Sequence, residues 1–243
     1  MLVSIIITSY NYDKYIRECI DSCLNQTFDD YEVIVVNDGS TDSTKKTLLN
    51  YAKNEKVKIF NNTNSGIEKA SNFGILKAIG KYIVRVDADD KLEKNFLKEL
   101  VSTIKLKQVS FVYSNYWTID ENSNIIDKIV LPGFSKTEIM NRGDFLATGT
   151  LYNKEILQKI GFYNENSINC GLENYELIIK LLLKDYKGYL VDRPLFYYRR
   201  HSSNISLQKK DKIISYGNNL FNNLNLGNYT TNEFHPYGLV LDD

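Results

Sequence analysis

Residues 81–91 read KYIVRVDADDK, an apolar run that ends in three carboxylates and so predicts a strand that runs into a loop. Side chains two residues apart in an extended segment point the same way and lie about 6.5–7 Å apart. Asp87 and Asp89 are therefore close enough for one divalent cation to bind between them, or between one of them and a phosphate. An isolated motif of this kind is more often a solvated acidic turn. The choice between a cation site and such a turn therefore depends on the rest of the chain.

Strands and helices alternate through the first 90 residues. Apolar β-branched runs predict the strands, and apolar residues at helical spacing predict the helices between them. The strands are expected over residues 2–8, 32–37, 57–60 and 81–86, and the helices from near residue 13, after residue 42 and over 66–79. This alternation favours an α/β fold with a Rossmann-like, doubly wound, mainly parallel sheet and helices on both faces.

Three of the predicted strands are followed by, or end in, polar residues, namely Thr8, Asp38 and Asp87. In open α/β sheets ligands bind beyond the carboxyl ends of the strands. We therefore expect these three side chains to face one crevice.

The pattern changes after residue 90, where the predicted elements become shorter and mixed. They are a helix from about residue 93, strands over 109–114, 188–191 and 195–199, a hairpin of 116–119 with 125–130, and helices over 155–160 and 173–184. Beyond residue 206 the chain is polar and Asn-rich, which indicates a C-terminal helical extension and tail.

Composition argues against several classes of protein. Lys plus Arg and Asp plus Glu balance at 30 each, so no overall field favours nucleic acid as a partner. The N-terminus lacks a signal-peptide pattern and no apolar stretch approaches the roughly 18 residues of a membrane span. We expect a cytoplasmic protein, with peripheral contact at the inner face of the membrane and the oligomeric state left open. The three cysteines favour core thiols over metal or redox roles.

Five motifs occur in an order that resembles glycosyltransferase family 2, a group of nucleotide-sugar-dependent transferases with the GT-A fold. They are SIIITSYN (4–11), VVNDGSTD (35–42), NSG (64–66), KASNFG (69–74) and VDADD (86–90). A weaker similarity follows in GFYNE (161–165), ENYEL (173–177) and YRRHSSN (198–204). The resemblance implies a GT-A domain over 1–205, with a nucleotide-sugar-binding half over 1–95 and an acceptor-binding half over 96–205. Residues 206–243 would form the extension and tail.

The resemblance also implies a role for each matching residue on the donor side. Thr8 and Tyr10 would hold the nucleotide base, and Asp38 would accept a hydrogen bond from it, with uracil the usual base. Asp87 would contact the ribose or the metal, and Ala88 would lie beside it against the nucleotide. Each of these residues also has a structural alternative, such as a strand cap for Thr8 or simple packing for Tyr10.

The metal and the diphosphate are the next expected ligands. Asp89 would coordinate Mn²⁺ or Mg²⁺, and His201 would reach the metal or the diphosphate together with Arg199 or Arg200. Lys69 and Asn72 would lie on the helix that faces the donor. Surface ion pairs, or an exposed helix position, are the alternatives for these side chains.

The catalytic base departs from the family pattern. Inverting transfer needs a carboxylate that takes the proton from the acceptor hydroxyl, and the family places an Asp second in a Glu-Asp pair at the start of a helix. Here the pair reads Glu173-Asn174, and an amide does not accept that proton at neutral pH. Glu173 is the first candidate for the base and Glu176, one helical turn on, is the second. Ordinary helix N-terminal carboxylates are the alternative for both.

The leading hypothesis is an inverting, metal-dependent transferase that moves a sugar from a nucleotide diphosphate donor, expected to be a UDP-sugar. Its acceptor would be a hydroxyl of a glycan or lipid-linked molecule, in bacterial surface polysaccharide synthesis. The alternative is a catalytically weak or silent nucleotide-sugar-binding protein of the same fold. A nucleotidyltransferase is disfavoured because no Gly-rich basic loop follows the first strand, and a dehydrogenase because no GxGxxG motif follows any strand.

Overall fold

Four strands form the parallel part of the sheet in the computed structural model, with a partly exposed strand at its edge. They are β1 (Val3–Ser9), β2 (Tyr31–Asp38), β3 (Val57–Asn62) and β4 (Tyr82–Asp87). They pair in parallel in the order β3-β2-β1-β4. Every residue of β1 and β2 is buried, as expected where helices cover both faces. The predicted doubly wound arrangement is confirmed for this half. The structure describes residues 1–146, 149–202, 204, 210–235 and 240–241.

Three helices connect these strands. They are α1 (Ile16–Leu24), α2 (Thr44–Leu48, extended by a 3₁₀ turn over Leu49–Tyr51) and α3 (Ile67–Lys77). The strand order reverses direction between β3 and β4, so right-handed crossovers place α1 and α2 on one face and α3 on the other. A glycine allows α3 to approach the sheet closely, since a Cβ on Gly74 would lie 2.4 Å from Ile6 Cγ2.

The second half extends the same sheet with mixed strand directions. Its strands are β5 (Lys91–Leu92), β6 (Phe111–Ile119), β7 (Ile125–Ile129), β8 (Leu151–Asn153) and β9 (Gly188–Arg199). β8 runs antiparallel to both β4 and β6, and β9 runs parallel to β6. β5 pairs with β9, and β7 forms the predicted hairpin with β6.

The helices of the second half pack around these strands. They are α4 (Phe96–Lys107), α5 (Lys136–Arg142), α6 (Lys154–Ile160), α7 (Glu173–Leu183) and α8 (Lys210–Leu224). Within the part of the chain that the structure describes, no helix is both long and apolar enough to cross a bilayer.

Two expected strand breaks are absent within the described residues. The sequence predicted separate strands on either side of Asn115, yet β6 continues through it. Asn115 is buried there because its side chain donates to Asp192 and accepts from the Leu131 amide, which satisfies the amide group inside the sheet. β9 likewise continues through Pro194, where register shifts against β6 accommodate a residue without an N–H.

Candidate active site

A cavity of about 690 Å³ opens at the carboxyl ends of β1, β2 and β4. The expected crevice therefore exists, and the structure brings most of the predicted site residues to it. Those that line it are Thr8, Tyr10, Asp38, Asp87, Ala88, Asp89, Glu173 and His201. Those that do not are Lys69, Asn72, Glu176, Arg199 and Arg200.

The end of the cavity formed by β1 and β2 offers polar groups and an exposed aromatic ring. Thr8 is 6% exposed, and its Oγ1 has no hydrogen-bond partner among the described residues. Tyr10 is 46% exposed at the cavity edge, so its ring is free to stack on a planar ligand. The Asp38 carboxylate accepts hydrogen bonds from the Ser65 and Gly66 amides and from the Ser65 hydroxyl. Asp38 thus fixes the loop that leads into α3 and also lines the cavity.

The acidic loop after β4 is organised around a buried arginine. Arg85 is 4% exposed and lies 3.2 Å from both Asp87 Oδ1 and Glu173 Oε1. Burial raises the pKa of the Asp87 carboxyl to about 7, against the opposing charge of Arg85. Asp87 Oδ1 accepts no hydrogen bond with acceptable geometry from any described group. A cation bound nearby would favour the charged form of Asp87.

Asp89 and His201 form the pair of groups best suited to hold a metal. His201 Nε2 lies 2.9 Å from Asp89 Oδ2, and both side chains are buried on the cavity wall. The imidazole stacks on Tyr15 with ring centroids 5.3 Å apart, and the backbone N–H of His201 donates to Asn204 Oδ1. Carboxylate and imidazole are both ligands of Mn²⁺-type ions. These donors, with the carboxylate of Asp87 on the same cavity wall, fit a divalent cation.

Arg199 and Arg200 do not lie where the sequence hypothesis placed them. The Arg199 side chain is 1% exposed and donates to the Asp89 carbonyl, the Asp120 carbonyl and the Ser123 hydroxyl, and it pairs with Glu18. Its guanidinium ties the acidic loop to the β6–β7 hairpin, so Arg199 is a positioning residue. Arg200, the residue after β9, is exposed and does not line the cavity. Ser203 of the same motif lies outside the described residues.

The two residues expected on the donor face of α3 also lie off the cavity. The Asn72 side chain donates to the Tyr163 carbonyl and to Glu165, and accepts from the Tyr163 amide. It therefore joins α3 to the loop after α6. Lys69 is half-buried on α3 and does not line the cavity.

The two base candidates differ in their surroundings. Glu173, at the start of α7, is 8% exposed, lines the cavity and accepts from both terminal nitrogens of Arg85. Glu176 is directed away and its carboxylate binds Lys180, Asn164 and Tyr216. Asn174 lines the cavity and accepts a hydrogen bond from Tyr163 Oη at 3.3 Å. Of the two candidates, Glu173 is the one that a substrate can reach.

The groups of the cavity wall that were not identified from sequence include Arg85, Asp144 and His235. Arg85 had a signal, because a charge inside an apolar strand run must find buried partners. Asp144 and His235 had none, since only the tertiary fold brings them to the cavity. Residues 147 and 148, which follow Asp144 after two further residues, lie outside the described part of the chain.

The cysteines behave as predicted, being free and buried. Cys170 lies with Glu68 and Glu173 so that one ligand atom of each falls within 4.8 Å of the others. The Glu68 carboxylate and Cys170 Sγ already accept backbone N–H groups of residues 169–172, so they fix the loop before α7.

Comparison with protein families decides the wider assignment. Residues 4–161, more than half of the chain, match the model of "Glycosyl transferase family 2". The chain belongs to this family. It is 31% identical over 242 residues to the chondroitin synthase of Pasteurella multocida, and the match covers 96% of this chain but 24% of the synthase. The chain thus spans about a quarter of that relative.

Solved structures with the same fold agree with the architecture. S. aureus TarS in complex with UDP-GlcNAc has a TM-score of 0.71 at 20% identity, covering 91% of this chain and 73% of TarS. The mannosyltransferase PcManGT from Pyrobaculum calidifontis, in complex with GDP-Man and Mn²⁺, has a TM-score of 0.70 at 17% identity, covering 97% and 67%. At these identities the likeness establishes the GT-A fold.

Proposed function

We propose that this family 2 glycosyltransferase is inverting and uses a nucleoside diphosphate sugar, with a UDP-sugar as the expected donor. The acceptor is a hydroxyl of a glycan or lipid-linked molecule, in bacterial surface polysaccharide synthesis. The observation that carries the proposal is that Asp89, His201 and Glu173 line the same cavity as Thr8 and Asp38. Metal ligands, a base and nucleotide contacts would then act on one bound donor. The UDP-GlcNAc complex of TarS and the activity named for chondroitin synthase support it.

Asp89 and His201 would hold Mn²⁺ or Mg²⁺, with Asp87 close by. When bound, the cation would stabilise the negative charge that grows on the leaving diphosphate. The Mn²⁺ in the GDP-Man complex of PcManGT supports this part of the proposal. Arg199 would contribute indirectly, because it holds the backbone of Asp89 in place.

Glu173 would act as the base. As the acceptor oxygen forms its bond to the anomeric carbon, the bond from that carbon to the diphosphate oxygen breaks, and the hydroxyl proton passes to the Glu173 carboxylate. Arg85 fixes that carboxylate through two N–H donors to Oε1. Asn174, which stands where the family has an Asp, would bind Tyr163 or a substrate hydroxyl instead.

Asn174 also keeps the second function open, a nucleotide-sugar-binding protein without transfer activity. Both proteins would bind the donor at the same site, but only the transferase would turn it over. The buried position of Glu173 on the cavity wall favours the enzyme. The cytoplasmic location expected from the sequence stays a prediction.

The decisive experiment measures binding and turnover together. Calorimetric titration with UDP and with GDP, each with and without Mn²⁺, should show metal-dependent binding, stronger for UDP. The variant D89N should lose the metal dependence, whereas D127N, an exposed carboxylate on β7, should keep it. Release of UDP from UDP-sugars would establish the enzyme. Binding of neither nucleotide would overturn the proposal, and binding without any turnover over a donor panel would favour the silent alternative.

A further inference from the structure

A buried carboxyl group on the cavity wall has no role in the proposed transfer. Asp144 follows α5, is 5% exposed and lines the cavity. Its Oδ1 has no hydrogen-bond partner in the described part of the chain, although the Leu146 amide bonds the same carboxyl group. Burial raises the pKa of Asp144 well above its ordinary value, and the charge of Glu173 raises it further. This shift favours the protonated form of Asp144, which offers both a donor and an acceptor.

A histidine from the C-terminal segment lines the same cavity. His235 is 6% exposed, and burial lowers its pKa to about 4, so the ring is uncharged at neutral pH. It packs on the backbone beside Asp144, since a Cβ on Gly143 would lie 3.0 Å from His235 Cδ2 and 2.9 Å from Thr231 Cγ2. Gly143 also has a φ of +80°. Glycine is therefore favoured there by the left-handed backbone conformation and by the lack of room for a Cβ.

The C-terminal segment, residues 229–235, is fixed to α5 by several contacts. Thr230 Oγ1 donates to the Met140 carbonyl at 3.4 Å, and the Arg142 guanidinium lies 5.2 Å from the Phe234 ring centroid. The buried Tyr229 hydroxyl has no hydrogen-bond partner among the described groups, and the charge of Asp144 affects its pKa. The segment thus contributes His235 to the cavity wall, on which Asp144 Oδ1 lacks a partner in the described part of the protein.

A buried polar atom without a hydrogen-bond partner destabilises a folded protein. A ligand in the cavity could supply the missing hydrogen bond to Asp144 Oδ1. Neutral donors and acceptors suit an uncharged hydroxyl-rich ligand better than a phosphate, which would call for a free cation. The nearby Arg85 is already paired with Asp87 and Glu173. We propose that Asp144 and His235 form a subsite for the hydroxyl groups of a sugar, next to Glu173. This subsite rests on the proposed transferase function.

The sugar can belong to the donor or to the acceptor, and binding experiments separate the two sources. The probes are UDP, UDP-GlcNAc, UDP-glucose and p-nitrophenyl β-N-acetylglucosaminide, each titrated with Mn²⁺ present, the last with UDP bound. D144A and H235F remove the two groups, and D127A is the control because Asp127 is exposed on β7. Loss of one neutral hydrogen bond should weaken binding of a contacting probe roughly 5- to 10-fold. The variant D144N should recover part of this loss, because an amide also donates and accepts.

A weaker affinity for the UDP-sugars with unchanged UDP affinity assigns the subsite to the donor sugar. A weaker affinity for the glycoside alone assigns it to the acceptor, and either result supports the proposal. If H235F folds and D144A does not, H235F carries the same measurement. Equal affinities of all variants for all sugar probes overturn the subsite while UDP binding leaves the transferase function standing. An equal loss for UDP itself means structural damage and also overturns it. If the unaltered protein does not bind UDP, the subsite falls with the proposed function.

Discussion

Glu173 and Glu176 stand one helical turn apart on α7, and their surroundings separate them. Glu173 faces the cavity and Arg85, whereas Glu176 is bound by Lys180 and Tyr216. We expect E173Q to lower the turnover number by about 10²–10⁴-fold, the usual contribution of a general base, with little change in UDP affinity. Single-turnover kinetics with saturating donor would measure it.

The matched control is E176Q, in which a carboxylate of the same helix is replaced by the same amide. It should change turnover little and lower the melting temperature, because the buried Glu176 carboxylate no longer makes charge-assisted bonds to Lys180 and Tyr216. If E173Q and E176Q reduce turnover equally, Glu173 is not the base.

Arg199 illustrates how a family motif and a fold can assign one residue different roles. As a positioning residue it bonds Asp89, Asp120 and Ser123 through its fork of donors, which a lysine cannot reproduce. We expect R199K to destabilise the protein by about 2–3 kcal/mol, which lowers the melting temperature by roughly 4–12 °C. A direct diphosphate contact would instead weaken UDP binding in a protein of unchanged melting temperature. Thermal unfolding alongside UDP titration distinguishes the two, with R200K as the exposed control.

At the scale of elements, α8 and the segment after it test how the C-terminal region is held. A Cβ on Gly217 of α8 would lie 2.3 Å from Tyr229 Cδ1, and an aromatic ring has little freedom to move away. We expect G217A to cost about 1–3 kcal/mol through overpacking, although alanine is the better helix former. N218A, one residue on and exposed, should be neutral or slightly stabilising. The two melting temperatures are the measurement, and a G217A variant as stable as N218A would show that the segment does not pack on α8.

The same elements show what the sequence could and could not predict. The four parallel strands were predictable because each is a local apolar run, and the positions of Thr8, Asp38 and Asp87 followed from the strand ends. β8 and β5 were missed, since three and two residues carry too little periodicity to identify a strand. Asn115 was taken as a break because the acceptor of its side-chain amide, Asp192, is distant in sequence. Pro194 was taken as a break because the irregular pairing with β6 that accommodates it also involves distant residues.

The site could be predicted only where it depends on local motifs. Asp89 was predicted from its motif and His201 from family resemblance, and the fold brings the two within 2.9 Å. Asp144 and His235 are far apart in sequence and reach the same cavity through the packing of the C-terminal segment on Gly143. No local pattern reports such a contact.

For the whole molecule, the two buried titratable groups of this wall affect stability in opposite directions as pH changes. The folded-state pKa of Asp144 is raised, so its contribution is present at low pH and is lost as pH rises above the ordinary carboxyl range. The pKa of His235 is lowered from 6.5 to about 4, so its contribution is present above pH 6.5 and is lost as pH falls toward 4. Between those two pH values the histidine binds a proton in the unfolded chain and not in the folded protein.

We therefore expect the stability advantage of the native protein over H235F to shrink on acidification. From pH 7.5 to 5.0 the histidine contribution falls by about 2 kcal/mol, since the unfolded chain binds the proton below pH 6.5 and each pH unit then corresponds to about 1.4 kcal/mol. The difference between the free energies of unfolding of the native protein and of H235F cancels the contributions of Asp144 and of other carboxylates. The phenylalanine ring in H235F is uncharged and keeps these carboxylates buried. Urea unfolding of both proteins at pH 7.5 and 5.0 gives the four free energies required. Equal losses on acidification would mean that His235 is solvated in the folded protein and is not buried on the cavity wall as the structure describes.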